Sequence, residues 1–299
     1  MRFILLIATS LMVSCGADVR TAGINSSLER KSFMRSIVEV LSGEKTFFNS
    51  NKSRNESIDE RGSDAGRSQA RVYLTQKFEA MGLETEEQRF YRGINLIAER
   101  PASPNAPIII IGAHYDSVGN AGADDNASGV AAMMTIAEKI AAENNQDITY
   151  RFIAFDKEEK GLLGSKAYVN GIRDQDEIDR IKGAFTLDMI GYDGNGDGAF
   201  HSVDCGRRDS MDLTEATLDA IETNNIPLNW VDACSKRSDH GSFWQAGIPA
   251  IVVSQNFFGG DANFCYHQGC DTIDKINFDY VGNITDAMEM GIRLYTNSL

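Results

Sequence analysis

The sequence predicts one large α/β domain with a single, mainly parallel (mixed) central sheet covered by helices on both faces. Three observations carry that expectation. Short apolar runs such as APIIIIGAH, ITYRFIAFD and IPAIVVS lack the in-and-out alternation of a half-solvated strand, so both their faces must be covered. A long apolar helix, ASGVAAMMTIAEKIAAEN, separates the first two runs, as a strand-helix-strand crossover requires. The chain has 299 residues, 42% hydrophobic and 24% charged, which suffices for a full core, and no internal repeat or second domain is visible.

The elements follow in order. The opening MRFILLIATSLMVSCGADVR places one basic residue, Arg2, ahead of an apolar stretch over 3–13, too short to anchor in a bilayer but suited to an export signal. Small residues before Cys15, with Gly16 after it, resemble the lipobox of bacterial lipoproteins, in which the cysteine is lipidated. An ordinary cleaved signal that contains a cysteine is the alternative. Residues 1–15 are therefore read as signal, 16–27 as tether and 28–299 as the folded domain. An amphipathic segment covers 28–41, and the polar stretch 49–64 shows no hydrophobic period. Helix returns over 68–81, where Ala70, Leu74, Phe78 and Met81 share a face and Gly82 stops it. GLETEEQRFY and INLIAER read as early strands, and IKGAFTLDM as a further one before the last apolar run.

A formal net charge of −14 argues against nucleic acid and anionic membrane surfaces as partners, which leaves the lipid at Cys15 as the route to a membrane. Apart from Cys15 there are four cysteines, an even number that allows two disulfides in an exported chain. Cys265 and Cys270 are close enough to close a tight loop, which leaves Cys205 with Cys234; free thiols are the alternative.

In parallel sheets, ligands collect beyond the carboxyl ends of the strands. The isoleucine run ends in His114, Tyr115 and Asp116, where Asp116 could orient the imidazole. Asp124, Asp125 and Asn126 stand at a helix entrance, where simple capping would also favour them. ITYRFIAFD leads to Glu158 and Glu159, AFTLDM ends at Asp188, and His267 lies inside the Cys265–Cys270 loop. Taken singly, each has a structural explanation. Jointly they form a hard nitrogen and oxygen set for ions such as zinc, enough for two metals if one carboxylate bridges. One of the two adjacent glutamates would then bind metal while its neighbour handles a proton.

HYD, GADDNASGV, EEKGLLGS, LDM, RSDHGSFW and CYHQGCDT, in this order over 114–271, resemble peptidase family M28, in particular its bacterial secreted aminopeptidases. The resemblance implies a phosphorylase/hydrolase-like α/β fold with a mixed eight-stranded sheet, two Zn2+ per chain and peptide substrates. By the same likeness Asp125 bridges the metals, with a cis peptide to Asn126. His114 and Asp188 bind one ion, and Glu159 and His267 the other. Glu158 is the general base, Asp116 buttresses His114, Tyr266 stabilises the oxyanion and Arg237 holds the substrate backbone. Asn126 stands where some members have a third aspartate. Three alternatives belong beside the aminopeptidase: a glutaminyl cyclase, which would use one zinc on Asp125, Glu159 and His267; an M28 carboxypeptidase; and a binding ectodomain on an inactive scaffold. The chain is expected to be a monomer.

Two further features are weaker. Asp193, Asn195, Asp197, Gly198 and Asp204 fall at the offsets of a calcium loop, although a glycine-rich turn explains them as well. Phe243, Trp244, Phe257, Phe258 and Phe264 are candidates for an apolar specificity pocket, with core packing the alternative, and His201 and His240 read as structural.

Overall fold

A computed structural model describes residues 26–143, 146–174 and 177–299. The signal, Cys15 and most of the tether lie outside these residues. Among the described residues no helix is long and apolar enough to cross a membrane. Helix α1 (Ser27–Leu41) opens with a reciprocal cap: Ser26 Oγ accepts from the Glu29 amide, and the Glu29 carboxylate accepts from the Ser26 amide. The polar stretch that follows is not featureless, since β1 (Phe47–Asn49) and β2 (Arg54–Glu56) pair there as a small hairpin. Helix α2 (Asp64–Ala80) starts four residues before its hydrophobic period, because the Ser63 side chain accepts from the Gly66 amide.

The remaining strands form one mixed sheet: β3 (Glu84–Phe90), β4 (Gly93–Arg100), β5 (Ile108–His114), β6 (Thr149–Phe155), β7 (Ile181–Leu187), β8 (Ala199–Val203), β9 (Asn229–Trp230) and β10 (Ala250–Gln255). Their order is β3-β4-β6-β5-β7-β10-β8-β9. The central four, β6, β5, β7 and β10, run parallel, while β4 joins β6 and β8 joins β10 antiparallel. Strand β8 occupies the tail of the segment that resembles a calcium loop. Its polar residues hide the strand pattern but are satisfied internally, His201 by Val231 O and Ser202 by Thr214.

Alternation along β5 divides the core. Ile109 and Ile111 join the larger cluster, with residues of α1, α2, α3 (Gly129–Ala141), α5 (Arg208–Asn224) and α7 (Phe278–Thr296). Ile108 and Ile110 join the smaller one, with α4 (Leu163–Asp174) and α6 (His240–Gln245). Each isoleucine is fully buried, a contribution of about 1.5–3 kcal/mol apiece. Cys205 pairs with Cys234 and Cys265 with Cys270, so both expected disulfides form.

Candidate metal centre

The parallel strands deliver their ends to one rim. His114 closes β5 in register with Phe155, the last residue of β6, and Glu158 and Glu159 follow in the next turn. Asp188 directly follows β7, its amide bonded to Val253 O at 3.1 Å.

Asp125 sits between two histidines. Its Oδ1 is 3.3 Å from His114 Nε2 and its Oδ2 is 3.2 Å from His267 Nε2. His114 Nε2 also lies 3.4 Å from Asp188 Oδ1, and His267 Nε2 3.0 Å from Glu159 Oε2. Two triads result, His114–Asp125–Asp188 and Asp125–Glu159–His267, each with donor atoms within 4.8 Å of one another and with Asp125 shared. Glu159 Oε1 is buried without a hydrogen-bond partner. The donors are nitrogen and oxygen with no sulfur, and one carboxylate is shared, so the set fits two divalent ions of the zinc type.

The electrostatics agree. Burial raises Glu158 well above the usual carboxylate range; His114 opposes this, while Asp188, Asp239 and Glu159 add to it. Burial and then Asp125 push Glu159 up to about 8. Burial would lower His114, but the Asp188 charge and bonds to Asp116, Asp125 and Asp188 raise it well above its usual value. Acids that resist ionisation and a histidine that resists deprotonation mark a surplus of negative charge, which cations would relieve.

Several buried groups hold these side chains in place. Asp116 does more than buttress His114, whose Nδ1 lies 3.2 Å from its carbonyl and 3.5 Å from its Oδ1. Its carboxylate also accepts from the amides of Glu158 at 3.0 Å and Glu159 at 3.4 Å. Asp271 clamps the Asp124–Asp125 segment by accepting from the amides of Asp124 at 2.8 Å and Asp125 at 3.1 Å. Fully buried Arg61 donates to the carbonyls of Tyr115, Leu41, Ala121 and Gly122, which shapes the loop before Asp124. Gly122 has φ +58, and a Cβ there would lie 2.5 Å from Asp125 O. Neither Arg61 nor Asp271 is legible as a site residue in the sequence, beyond the place of Asp271 in CYHQGCDT.

The Asp125–Asn126 peptide is cis, as the family resemblance implies. The structure also explains the asparagine. Asn126 Nδ2 donates to Leu187 O at 2.8 Å, and its Oδ1 accepts from Gly129 N at 3.0 Å and Met189 N at 3.2 Å, so the amide grips both neighbours of Asp188. Asn126→Asp removes the donor and leaves a carboxylate facing a carbonyl. We expect it to cost about 1–3 kcal/mol, read from the denaturant midpoint at unchanged slope. An unchanged midpoint would show that the donor is dispensable.

One cleft gathers His114, Asp125, Glu158, Glu159, Asp188, Arg237, Tyr266 and His267, with Asp116 buried behind it. Its apolar wall is Met189, Val203, Val252, Phe257 and Phe258. Of the five aromatic candidates only Phe257 and Phe258 line it. Phe243 is buried against Phe155 and Tyr168, Trp244 packs beside that core, and Phe264 is exposed. His201 and His240 also reach the wall, each with a backbone partner: His201 Nδ1 at 2.8 Å from Val231 O and His240 Nε2 at 2.9 Å from Ser235 O.

A mixed α/β sheet that carries, at the ends of its parallel strands, two triads sharing the Asp125 carboxylate defines a candidate metal-binding site of the α/β class. The profile described as Peptidase family M28 matches residues 95–291. Leucine aminopeptidase 2 of Trichophyton rubrum is 32% identical over 229 residues, which cover 69% of this chain and 45% of that protein. The structure of BSAP, a zinc aminopeptidase from Bacillus subtilis, superposes with a TM-score of 0.61 at 28% identity, covering 67% of this chain and 49% of that one. Porphyromonas gingivalis glutaminyl cyclase shares the fold, with a TM-score of 0.69 at 18% identity over 93% of this chain and 99% of that one. The chain belongs to peptidase family M28. It spans about half the length of the curated relatives it matches.

Proposed function

We propose that this chain is an exported, monomeric dizinc aminopeptidase. The observation that carries this reading is the Asp125 carboxylate, which turns one oxygen to His114 and the other to His267, with Asp188 and Glu159 completing the two triads. Two zinc ions held there would polarise the scissile carbonyl and make water a better nucleophile at neutral pH. Glu158 belongs to neither triad and borders the same cleft, which suits it to take a proton from the attacking water and pass it to the leaving amine. The pKa of Tyr266 is raised by burial and by Asp125 and Asp188, so its hydroxyl stays a donor for the developing oxyanion. Arg237, exposed at the cleft, would hold the substrate backbone, and Asp116 would keep His114 and the Glu158–Glu159 turn in position.

The apolar wall suits a large apolar first residue. Two disulfides fit an oxidising compartment, and lipidation at Cys15 would tether the enzyme to a membrane. Of the calcium-loop offsets only Asp193 and Asp197 come together, and the carboxylate that joins them is Asp261, outside that segment. A glutaminyl cyclase shares the fold, but with one zinc on Asp125, Glu159 and His267 it would leave the His114–Asp188 pair without a ligand role.

Chelation is expected to abolish hydrolysis of leucyl and phenylalanyl peptides and zinc to restore it, with glutamyl peptides cleaved at least about 10-fold more slowly. Activity that survives complete zinc removal would overturn the reading.

A further inference from the structure

The glycine-rich turn after Asp188 takes no part in the two triads, yet it meets a distant loop through charge. Asp193 and Asp197 of this turn and Asp261, beyond β10, bring carboxylate oxygens within 4.8 Å of one another. A cluster of acids is common on surfaces; Asp261 makes this one different. It is only 1% exposed. Its Oδ1 accepts from the Gly194 amide at 2.9 Å, while its Oδ2 is buried with no hydrogen-bond partner. Asp193 Oδ1 is buried and partnerless as well. A buried carboxylate oxygen left unsatisfied among like charges is costly unless a cation completes it.

We propose that Asp193, Asp197 and Asp261 hold a calcium ion, separate from the zinc centre. The three carboxylates supply hard oxygen donors with no nitrogen or sulfur, and they come from two irregular loops, which suits the adaptable coordination of calcium better than the strict octahedron of magnesium. The offsets of a calcium-binding loop are only half realised. Asn195 Nδ2 donates to Asp197 Oδ2, and Asp204 turns to the Gly206 amide, so the third carboxylate comes from Asp261, 57 positions further along the chain than Asp204. Asp197 Oδ1 accepts from the Ala199 amide, but a carboxylate oxygen carries a second lone pair for a cation.

The placement gives the ion a task. Asp261 lies between Phe257 and Phe258, on the apolar wall of the cleft, and the Cys265–Cys270 loop that presents Tyr266 and His267. Calcium would fasten this segment to the turn that follows Asp188 and so stiffen the wall.

The test uses zinc-saturated protein. Calorimetric titration with CaCl2 should show one further ion per chain. Calcium about a hundredfold above its Kd should raise Tm by roughly 5 °C, with MgCl2 giving little. Asp261→Asn keeps the shape and the acceptor for Gly194, and should lose the shift. Asp193→Asn, at a more exposed position, should lose it too and serves if the first variant does not fold. No calcium binding up to about 10 mM, beyond the range of weak extracellular sites, would overturn the proposal. So would a shift that persists in the folded variants.

Discussion

Glu158→Gln is expected to retain its metal ions and to lose at least about 100-fold in kcat, or roughly 2.7 kcal/mol of transition-state stabilisation. The side chain is the same size, and Glu158 contributes to neither ligand triad, so coordination has no reason to change. What disappears is a group able to accept a proton. Glu158 has carboxylate neighbours in Asp188, Asp239 and Glu159, which with burial raise its affinity for a proton, and cations on the adjacent ligands would bring it back toward a working range. Glu159→Gln is the contrasting variant. It weakens the Asp125–Glu159–His267 triad and should lower zinc content as well as rate. The measurement is kcat alongside zinc content for each. Near wild-type activity in Glu158→Gln would assign the base elsewhere.

Cleavage of a peptide should depend on its free amino terminus and not on its carboxyl terminus. Asp125, Glu158, Glu159 and Asp188 crowd negative charge around the scissile position, which suits an ammonium one residue away. A C-terminal carboxylate would need cations there, and among the described residues lining the cleft Arg237 is the only lysine or arginine. One apolar peptide should therefore be cleaved when unmodified and when C-amidated, but not when N-acetylated, because the neutral amide cannot pair with the acids. Cleavage of the acetylated form at its C-terminal bond, with the amidated form resistant, would make the enzyme a carboxypeptidase. Cyclisation of an N-terminal glutamine without peptide-bond cleavage would favour the glutaminyl cyclase reading.

The centre was legible because its chemistry sits at the ends of strong local signals. His114 ends a four-isoleucine run, Glu158 and Glu159 follow ITYRFIAFD, and Asp188 follows IKGAFTL, so a rule about parallel sheets brings them to one rim before any distance is known. His267 stood out inside a five-residue cysteine spacing that does close as a disulfide. Asp116, two residues from His114, was legible too, but Arg61 and Asp271 were not, because their partners are remote in sequence. Arg61 lies in a polar stretch without a period and acts on carbonyls from Leu41 to Gly122, and Asp271 acts on amides nearly 150 residues earlier. Strands β1, β2 and β9 escaped for a different reason: they span two or three residues, too few for alternation to emerge, while His201 and Ser202 hid the five-residue β8. The aromatic candidates show the same limit, since composition alone cannot tell Phe243 of the core from Phe258 of the cleft wall.

The claim that the Asp125 carboxylate joins two metal sites is tested most directly by elemental analysis of purified protein saturated with zinc and freed of excess metal. Two zinc ions per chain are expected, falling toward one or none in Asp125→Ala, in which both triads lose their shared member. A single zinc per chain that does not rise with further metal, and that Asp125→Ala leaves in place, would contradict it.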